Sequence, residues 1–331
     1  MAKIRKKEKI NKSKWDENVE ECDFCTFFQS RDWHEVWAEV YGVEWKANAY
    51  KISFDDGCDI VIPVTERSGI FGKTFLSSPE GTYGGAVYND KEVTVEHIKK
   101  SVDALGGRVT LRENPFDENL NLENSYNVFT KYDFTQSVGV NRNWGTLKSN
   151  LSKEDVVRRK EKAEKKGLVF KKEKLSEDIL DSYYKIYQKC RKKWGESASN
   201  NYSREAFSKI SSIKNKTDIW VVRYKDKIIC CGPIFKQNKF HAVSWLTLAD
   251  PDHLDKNPYD FIYYVMIKNY NSEGFSYFDF NPSGGHEGVV KFKEKFDTEK
   301  KTSRVLEKDS PLGRVAQKAR GVIGQWKRRL R

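Results

Sequence analysis

The segment from Gly274 to Phe296 constrains the fold more than any other part of this sequence. It predicts a buried strand that ends at Asp279, then a turn, then a short helix that carries Lys293 between two phenylalanines. In α/β proteins, ligands bind beyond the carboxyl ends of such strands. We therefore expect an α/β fold with mixed sheets and a candidate site at this strand end.

Both halves of the chain repeat one plan of hairpin, strand, helix and strand. In the first half, strands are predicted over 46–54, 58–65, 73–78, 108–112 and 126–134, and a helix over 92–104. In the second half, helices are predicted over 152–166, 176–193 and 258–272, and strands over 218–224, 227–236, 239–248 and 275–280. Apolar residues at periods of two and of about 3.6 carry these predictions. Two similar domains follow, over 21–145 and 146–305.

The net charge of +12 is concentrated at the two ends of the chain. Residues 1–14 hold seven basic residues and one acidic residue, and residues 310–331 hold seven basic residues and none that is acidic. The body between them is nearly neutral, which argues against a protein that binds nucleic acid with its whole surface. We expect residues 1–20 to be a basic disordered tail, because they show no apolar pattern.

Residues 306–331 are predicted to form a basic amphipathic helix. Apolar residues recur there every three or four positions, a pattern typical of helices that lie on anionic membranes. The candidate membrane contacts are Trp326, Arg320, Lys327, Arg328 and Arg329. The alternative is a helix that packs on its own protein and leaves its basic face solvated.

The six cysteines do not predict a metal site. Cys22 and Cys25 form a lone CxxC, and a zinc site needs a second pair of ligands at matching spacing. We expect reduced, mostly buried thiols and no metal. Because the basic N-terminus precedes no apolar run, and no run approaches the roughly 18 residues of a membrane span, the sequence predicts a cytoplasmic protein, with the inner face of the cell membrane as a second location.

Five local motifs occur in one order between residues 27 and 297. They are Phe28-Gln29-Ser30 with Trp33, Ile62-Pro63-Val64 with the loop Ser78-Pro79 to Tyr83-Gly84-Gly85, Tyr132-Asp133-Phe134, the basic helix of Arg158-Arg159-Lys160 with Ala163 and Gly167, and Asp279-Phe280 with Phe292-Lys293. Together they resemble the FemAB/CelD-like, peptidoglycan-bridge-type branch of the GNAT acyltransferase superfamily. The resemblance implies two tandem GNAT-like domains with substrates bound between them.

The resemblance also implies acyl or aminoacyl transfer from an activated ester or thioester to an amine on a cell-envelope glycan or peptide precursor. Aminoacyl-tRNA or acyl-CoA would be the donor. One alternative is an acyl-CoA-dependent N-acyltransferase that acts on a small or polysaccharide-linked amine. Another is a non-catalytic basic adaptor that binds RNA or membrane through its tails.

Direct attack of an amine on an ester or thioester requires alignment of the reactants, stabilisation of an oxyanion and removal of a proton. Lys293 is the candidate for stabilising the oxyanion, and the alternative is a solvated lysine like its neighbours Lys291 and Lys295. Asp279 is the candidate proton acceptor or substrate ligand, and the alternative is a cap for the following turn.

The other candidates are substrate-binding residues. The resemblance places Tyr83, Gly84, Gly85 and Phe292 at the site, and packing over the loop is the alternative for Tyr83. The turn after the strand adds Asn281 and Ser283. The backbone N–H groups of Ser283-Gly284-Gly285 suit a carboxylate or phosphate, and the alternative is a tight turn. Trp37 stands where some family members carry a lysine. Residues 248–254 contain no glycine where ordinary acetyl-CoA-dependent GNAT domains have a Gly-rich loop, so coenzyme A is not established as the donor.

Overall fold

The chain folds as two units whose boundaries lie inside strands. Unit 1 comprises Met1–Asp133 and the segment that begins at Thr302, and unit 2 comprises Phe134–Lys301. The computed structural model describes residues 2–70, 72–89, 92–118, 129–195, 201–213 and 215–308. The predicted boundaries at 145/146 and 305/306 differ from these, because the last strand within the described residues completes the sheet of unit 1.

Within its described residues, unit 1 is a six-stranded mixed sheet with helices. Its strands are β1 (Ile4–Lys9), β2 (Trp45–Phe54), β3 (Asp59–Gly69), β4 (Gly72–Leu76), β5 (Arg108–Arg112) and β13 (Glu299–Lys308), in the order β1-β2-β3-β4-β5-β13. Its helices are α1 (Lys12–Glu21), α2 (Arg31–Tyr41) and α3 (Val95–Leu105). The β4–β5 pair is parallel, since α3 connects the two strands, and the other pairs are antiparallel.

Unit 2 repeats this plan. Its strands are β6 (Phe129–Gly139), β7 (Leu168–Glu173), β8 (Thr217–Tyr224), β9 (Lys227–Gln237), β10 (His241–Ser244), β11 (Leu248–Ala249) and β12 (Tyr277–Asp279). Its helices are α4 (Trp144–Lys153), α5 (Val156–Lys165), α6 (Glu177–Trp194), α7 (Arg204–Ser211), α8 (Pro258–Ser272) and α9 (Glu287–Glu294). The order is β6-β12-β10-β9-β8-β7, with β11 beside β9, and α8 connects the parallel pair β10–β12. The predicted mixed α/β fold class is confirmed.

Strand β8 shows why the sheet of unit 2 needs helices on both faces. Trp220 and Val222 lie in one apolar cluster with α4, α5 and α8, whereas Ile219 and Val221 lie in a second cluster with α6 and α7. Successive strand residues point to opposite faces, and here both faces are apolar. The result is a sheet buried on both sides, which holds the end of β12 in a fixed position.

The prediction of a disordered tail over residues 1–20 is wrong. Ile4–Lys9 forms β1, which pairs with β2 through backbone hydrogen bonds, and the N–H of Lys3 donates to Asp55 Oδ1 at 2.7 Å. Asn11 then caps α1, which buries Trp15 and Val19. Backbone pairing needs no apolar pattern, and lysines are common on the edge strands of sheets, so this strand left no signal in the sequence.

The expectation of reduced thiols is wrong for Cys22 and Cys25. A tight turn, in which the N–H of Cys25 donates to the carbonyl of Cys22, brings their Cα atoms to 5.4 Å, and the two sulfurs form a disulfide. The other four cysteines are buried and form no disulfide among the described residues, as predicted.

The predicted helix over 306–331 overlaps the end of β13 at residues 306–308, and from residue 309 onward it lies outside the described residues. The candidate membrane contacts Trp326, Arg320, Lys327, Arg328 and Arg329 lie there as well. Within the described part of the chain, no helix is both long enough and apolar enough to cross a membrane.

Candidate functional site

Asp279 ends β12 and is fully buried. Its Oδ1 accepts hydrogen bonds from the hydroxyl of Thr135 on β6 and from the backbone N–H of Asn281, the latter at 3.0 Å. Its Oδ2 lies 3.3 Å from Nε2 of His241 on β10. Thr135 and His241 are also buried. The carboxylate therefore connects both neighbouring strands to the turn that follows β12.

Sheet register explains this convergence. Asp279 pairs with Ser137 across the antiparallel β6–β12 ladder and with Val243 across the parallel β10–β12 ladder. Residues two apart on a strand share a face, so Thr135 and His241 lie diagonally opposite the aspartate. They are 144 and 38 residues away from it in the chain. Sequence reasoning missed both, and only the strand order could have found them.

The turn after β12 is left-handed at Asn281, whose φ is +64°. Asparagine tolerates this conformation better than most residues do. It directs the carbonyl oxygen of Asn281 to the ammonium of Lys293 on α9, which donates at 2.6 Å. The same ammonium donates to Oγ of Ser283 at 2.8 Å.

Lys293 is thus a buried cation, with 5% of its surface exposed. The interpretation of a solvated lysine is wrong for Lys293, although it holds for Lys291, which is exposed and pairs with Glu287. A charge interacts more strongly in the low-dielectric interior than in water. Lys293, Asn281, Ser283 and Asp279 therefore form one hydrogen-bonded group.

Phe292 lies beside Lys293 on α9 and is half-buried. Its ring packs at centroid distances of 5.8 Å from Tyr259, 5.9 Å from Tyr263 and 5.2 Å from Phe296. The tyrosines belong to α8, so Phe292 holds α9 against α8. These contacts fix the position of the lysine on the helix.

Three buried oxygens near this group have no hydrogen-bond partner among the described residues. They are Oε1 of Gln136, Oγ of Ser137 and Oδ1 of Asn281. Nearly all buried polar atoms in proteins are paired, so each of these oxygens is able to accept a donor. Gln136 and Ser137 lie on β6 beside the end of β12, and the sequence contains no signal for either of them.

Trp37 and Tyr83 lie in the aromatic core of unit 1, and both are almost completely buried. Tyr83 packs against Phe28 with a centroid distance of 5.0 Å, Phe28 packs against Trp33 at 5.1 Å, and Trp33 packs against Trp37 at 5.5 Å. This chain of rings joins α2 to the loop before α3. The contacts support a packing role for both residues.

Gly84 and Gly85 allow close approach of backbones. A Cβ atom on Gly84 would lie 2.3 Å from the carbonyl oxygen of Ser77, and Gly85 has φ +87° with Asn114 close by. Gly85 also lines a small cavity of about 60 Å³ within unit 1. The polar residues of that cavity are Glu113, Asn114, Asp117, Thr302 and Arg304.

Burial raises the pKa of Glu113 in this cavity to about 8, and the nearby carboxylate of Asp117 adds to the rise. The guanidinium of Arg304, with Nε 3.3 Å from Glu113 Oε2, opposes the rise without cancelling it. Asp117 in turn accepts a hydrogen bond from the hydroxyl of Tyr88 at 2.6 Å. The cavity is polar, and it has room for about two waters.

One cluster of potential metal ligands lies within the described residues: Asp56, Cys58 and His97. Nδ1 of His97 accepts a hydrogen bond from the backbone N–H of Thr94 at 3.0 Å, and Nε2 lies 2.9 Å from Asp56 Oδ2. In a neutral imidazole the proton then sits on Nε2 and is donated to the carboxylate. That tautomer leaves no lone pair for a cation, so the cluster is an ordinary His–Asp hydrogen bond.

The profile of the acetyltransferase (GNAT) domain family matches residues 152–294. This range covers α5 to α9 and includes the strand end, Asn281, Ser283 and Lys293. Residues 152–294 form a GNAT domain. The expected resemblance is therefore confirmed for the part of the chain that carries the candidate site. No curated protein matches the sequence.

Solved structures show that the likeness extends beyond the GNAT domain. FemX has a TM-score of 0.67 at 11% identity, over 94% of this chain and 99% of its own. L-PGS from Bacillus licheniformis has a TM-score of 0.56 at 13% identity, over 95% of this chain and 97% of its own. At these identities the likeness establishes the fold. The predicted tandem arrangement of GNAT-like units agrees with it.

Proposed function

We propose that this protein transfers an acyl or aminoacyl group from an activated ester or thioester to an amine on a cell-envelope glycan or peptide precursor. The observation that carries the proposal is Lys293, a buried cation clamped to the end of β12 inside a GNAT domain. The likeness in fold to FemX agrees with the envelope acceptors that the sequence motifs imply.

In the proposed reaction, the amine nitrogen attacks the carbonyl carbon of the donor. Negative charge develops on the carbonyl oxygen, and a fixed cation in a partly dry site stabilises it without reorganising. The C–O or C–S bond of the donor then breaks, the amide forms, and the proton lost by the amine leaves with the alcohol or thiol. Lys293 supplies the fixed cation.

The buried oxygen Oδ1 of Asn281 suits the attacking amine. It has no hydrogen-bond partner among the described residues, and the backbone carbonyl of the same residue holds Lys293. An amine N–H that donated to this oxygen would be oriented beside the cation. Asn281 is therefore proposed to position the nucleophile.

Asp279 fits a positioning role better than that of the proton acceptor. Its carboxylate is fully buried and is occupied by Thr135 and the N–H of Asn281, with His241 in contact. Through Asn281, these contacts fix the carbonyl that accepts from Lys293. A carboxylate placed in this way orients the cation and does not exchange protons with a substrate.

The start of α8 does not fit the pyrophosphate of coenzyme A. Residues 251–256 form a 3₁₀ helix, Pro258 at the start of α8 has no N–H to offer, and the buried carboxylate of Asp260 lies in the first turn. An anion at a helix N-terminus needs free N–H groups and the absence of carboxylates. An aminoacyl ester is therefore the proposed donor class, with aminoacyl-tRNA as its natural carrier.

The alternative is an acyl-CoA-dependent N-acyltransferase, which the match to the acetyltransferase (GNAT) family favours. Equilibrium binding separates the two. The full-length protein should bind aminoacyl-tRNA more tightly than deacylated tRNA and should not bind acetyl-CoA. Saturable binding of acetyl-CoA together with acetylation of an amine would establish the alternative and reject the aminoacyl donor.

A further inference from the structure

Two aliphatic side chains of unit 1 are almost completely exposed. Val43 is 99% and Ile70 is 96% exposed, whereas the other large hydrophobic residues described as exposed range from 36% to 73%. Val43 lies between α2 and β2, and Ile70 lies in the turn between β3 and β4. Single exposed apolar residues are common, but two at one place call for an explanation.

The register of the sheet puts both residues at one end of unit 1. Trp45, two residues after Val43, pairs with Arg67, three residues before Ile70. The β3–β4 hairpin closes with the pair Gly69 and Gly72, so Ile70 lies at its tip. We call the group at this end the tip surface; it consists of Val43, Lys46, Arg67, Ile70, Lys73 and Arg108.

The basic members of the tip surface surround the two aliphatic residues, and all four are exposed. Lys46 and Arg67 lie in β2 and β3 at the end of the sheet that carries the β3–β4 turn, and Lys73 is the second residue of β4. Arg108 belongs to this end because it pairs with Thr74 in the parallel β4–β5 ladder. The guanidinium of Arg67 lies 5.0 Å from the ring centroid of Trp45, which holds it at the surface.

Two carboxylates lie among these basic residues. Glu44 is exposed, whereas Glu66 is 8% exposed and accepts hydrogen bonds from Asn48 and Tyr50, with Lys73 Nζ 3.8 Å away. The exposed charge of the tip surface is therefore positive. Aliphatic residues ringed by basic ones are the pattern of surfaces that dock on anionic membranes.

The chain also leaves the described structure at this end. Strand β13 runs antiparallel to β5, and Lys308 pairs with Val109, the neighbour of Arg108. The described part of the chain therefore ends, at Lys308, beside the tip surface. The sequence from 310 to 331 carries seven basic residues and none that is acidic. These basic residues follow in sequence from the end of unit 1 that presents Val43 and Ile70.

We propose that the tip surface docks on an anionic lipid bilayer, with Val43 and Ile70 entering the headgroup region and the basic ring contacting lipid phosphates. Aliphatic tips favour a bilayer over RNA, because RNA-binding surfaces use aromatic side chains that stack on bases. The surface brings unit 1 to the membrane whatever reaction the protein catalyses.

Sedimentation of the full-length protein with vesicles tests the proposal. Wild-type protein should sediment with vesicles of phosphatidylcholine and phosphatidylglycerol, and less with phosphatidylcholine alone. The double substitution Val43→Ser and Ile70→Ser should lower partitioning roughly tenfold. Arg67→Gln should lower it about fivefold on the anionic vesicles. The matched control is Val169→Ser, which changes a 57% exposed valine of unit 2 and should leave partitioning unchanged.

Thermal melting of each variant checks that the substitutions leave the fold intact. We expect unchanged melting temperatures, since exposed side chains contribute little to stability. Unchanged sedimentation of the double variant would overturn the proposal and assign any binding to residues 309–331. Binding of RNA in place of vesicles, lost in Arg67→Gln but kept in the double variant, would overturn it as well.

Discussion

The ammonium of Lys293 donates a hydrogen bond of 2.6 Å to the backbone carbonyl of Asn281. This bond joins helix α9 to the turn that follows the buried strand β12. Asp279, two residues before Asn281, stabilises the same turn, because its carboxylate accepts a hydrogen bond from the backbone N–H of Asn281. The cation, the turn and the carboxylate are one structural unit, and each prediction about the candidate site tests a part of it.

Lys293→Met should abolish transfer and cost moderate stability. Methionine keeps the apolar stem but removes the charge and the hydrogen bonds to Asn281 and Ser283, so we expect a loss of roughly 10²-fold in turnover and about 1–3 kcal/mol in the free energy of unfolding. The matched control is Lys291→Met on the same helix. Lys291 is exposed and paired only across one helical turn, which makes its substitution nearly neutral. Equal turnover in both variants would remove Lys293 from the reaction.

Asp279→Asn should lower kcat more than it raises KM. The amide brings an NH₂ group toward the donors that now meet the carboxylate, so the turn at Asn281 shifts and Lys293 moves with it. Urea denaturation should show a loss of about 1–3 kcal/mol. A change in KM alone would mean that Asp279 contacts substrate and does not position the cation.

Unit 1 should lose stability in acid because of His34. Its ring is fully buried and lies 2.9 Å from the hydroxyl of Thr65, and burial lowers its pKa from 6.5 to about 3. The unfolded chain therefore binds a proton below pH 6.5 that the folded chain refuses, and stability falls as the pH drops. Between about pH 6.5 and 5 the loss should be ~2 kcal/mol. Denaturation of His34→Gln across this range should show a flatter dependence, and an equally steep one would contradict the assignment.

Glu113 should have the opposite effect. Its pKa is raised to about 8, so between its ordinary pKa of 4.5 and 8 the folded chain holds a proton that the unfolded chain has lost. The stability that this group contributes is present below pH 4.5 and is lost as the pH rises through 8. Glu113→Gln should therefore remove a decline in melting temperature between about pH 5 and 8. If the melting temperature of the wild type instead rose over that range, and Glu113→Gln removed the rise, the ion pair with Arg304 would outweigh the effect of burial on Glu113.

Gly84→Ala should destabilise unit 1 by about 1–3 kcal/mol, because the new methyl group would meet the carbonyl of Ser77 at 2.3 Å. Gly139→Ala in β6 is the control, since no described residue other than its two chain neighbours has an atom within 4 Å of the added Cβ. Calorimetry of the two variants tests whether Gly84 is needed for close packing of the loop, as opposed to being needed only for binding of a substrate. Equal melting temperatures would reject the packing role.

Elements with a strong local pattern were predictable from the sequence. The hairpin strand β2, the strand β5 after Gly106-Gly107 and the helix α8, which begins at Pro258, all lie close to their predicted positions. Each has apolar residues at a regular period and a clear start or stop signal. Strands β1 and β7 carry mostly charged or exposed residues, and they exist because a neighbour offers backbone hydrogen bonds.

The candidate site was predictable only in part, for a related reason. Asp279, Asn281, Ser283 and Lys293 lie within 15 consecutive residues, so a local motif was enough to group them. Thr135, Gln136 and His241 come from distant strands. Their contacts depend on the antiparallel pairing of β6 with β12 and on the parallel pairing of β10 with β12, neither of which the sequence encodes locally. The burial of Lys293 likewise follows from the turn at Asn281, which no periodicity predicts.

Amide formation in a single turnover tests the central claim most directly. Full-length protein in excess over a labelled aminoacyl-tRNA, with an amine-bearing cell-envelope precursor as acceptor, should give a labelled amide that mass spectrometry identifies. Lys293→Met should give none above background, and Lys291→Met should match wild type. Equal amide yield from wild type and Lys293→Met would contradict the account, since the buried cation at the end of β12 would then have no part in the transfer.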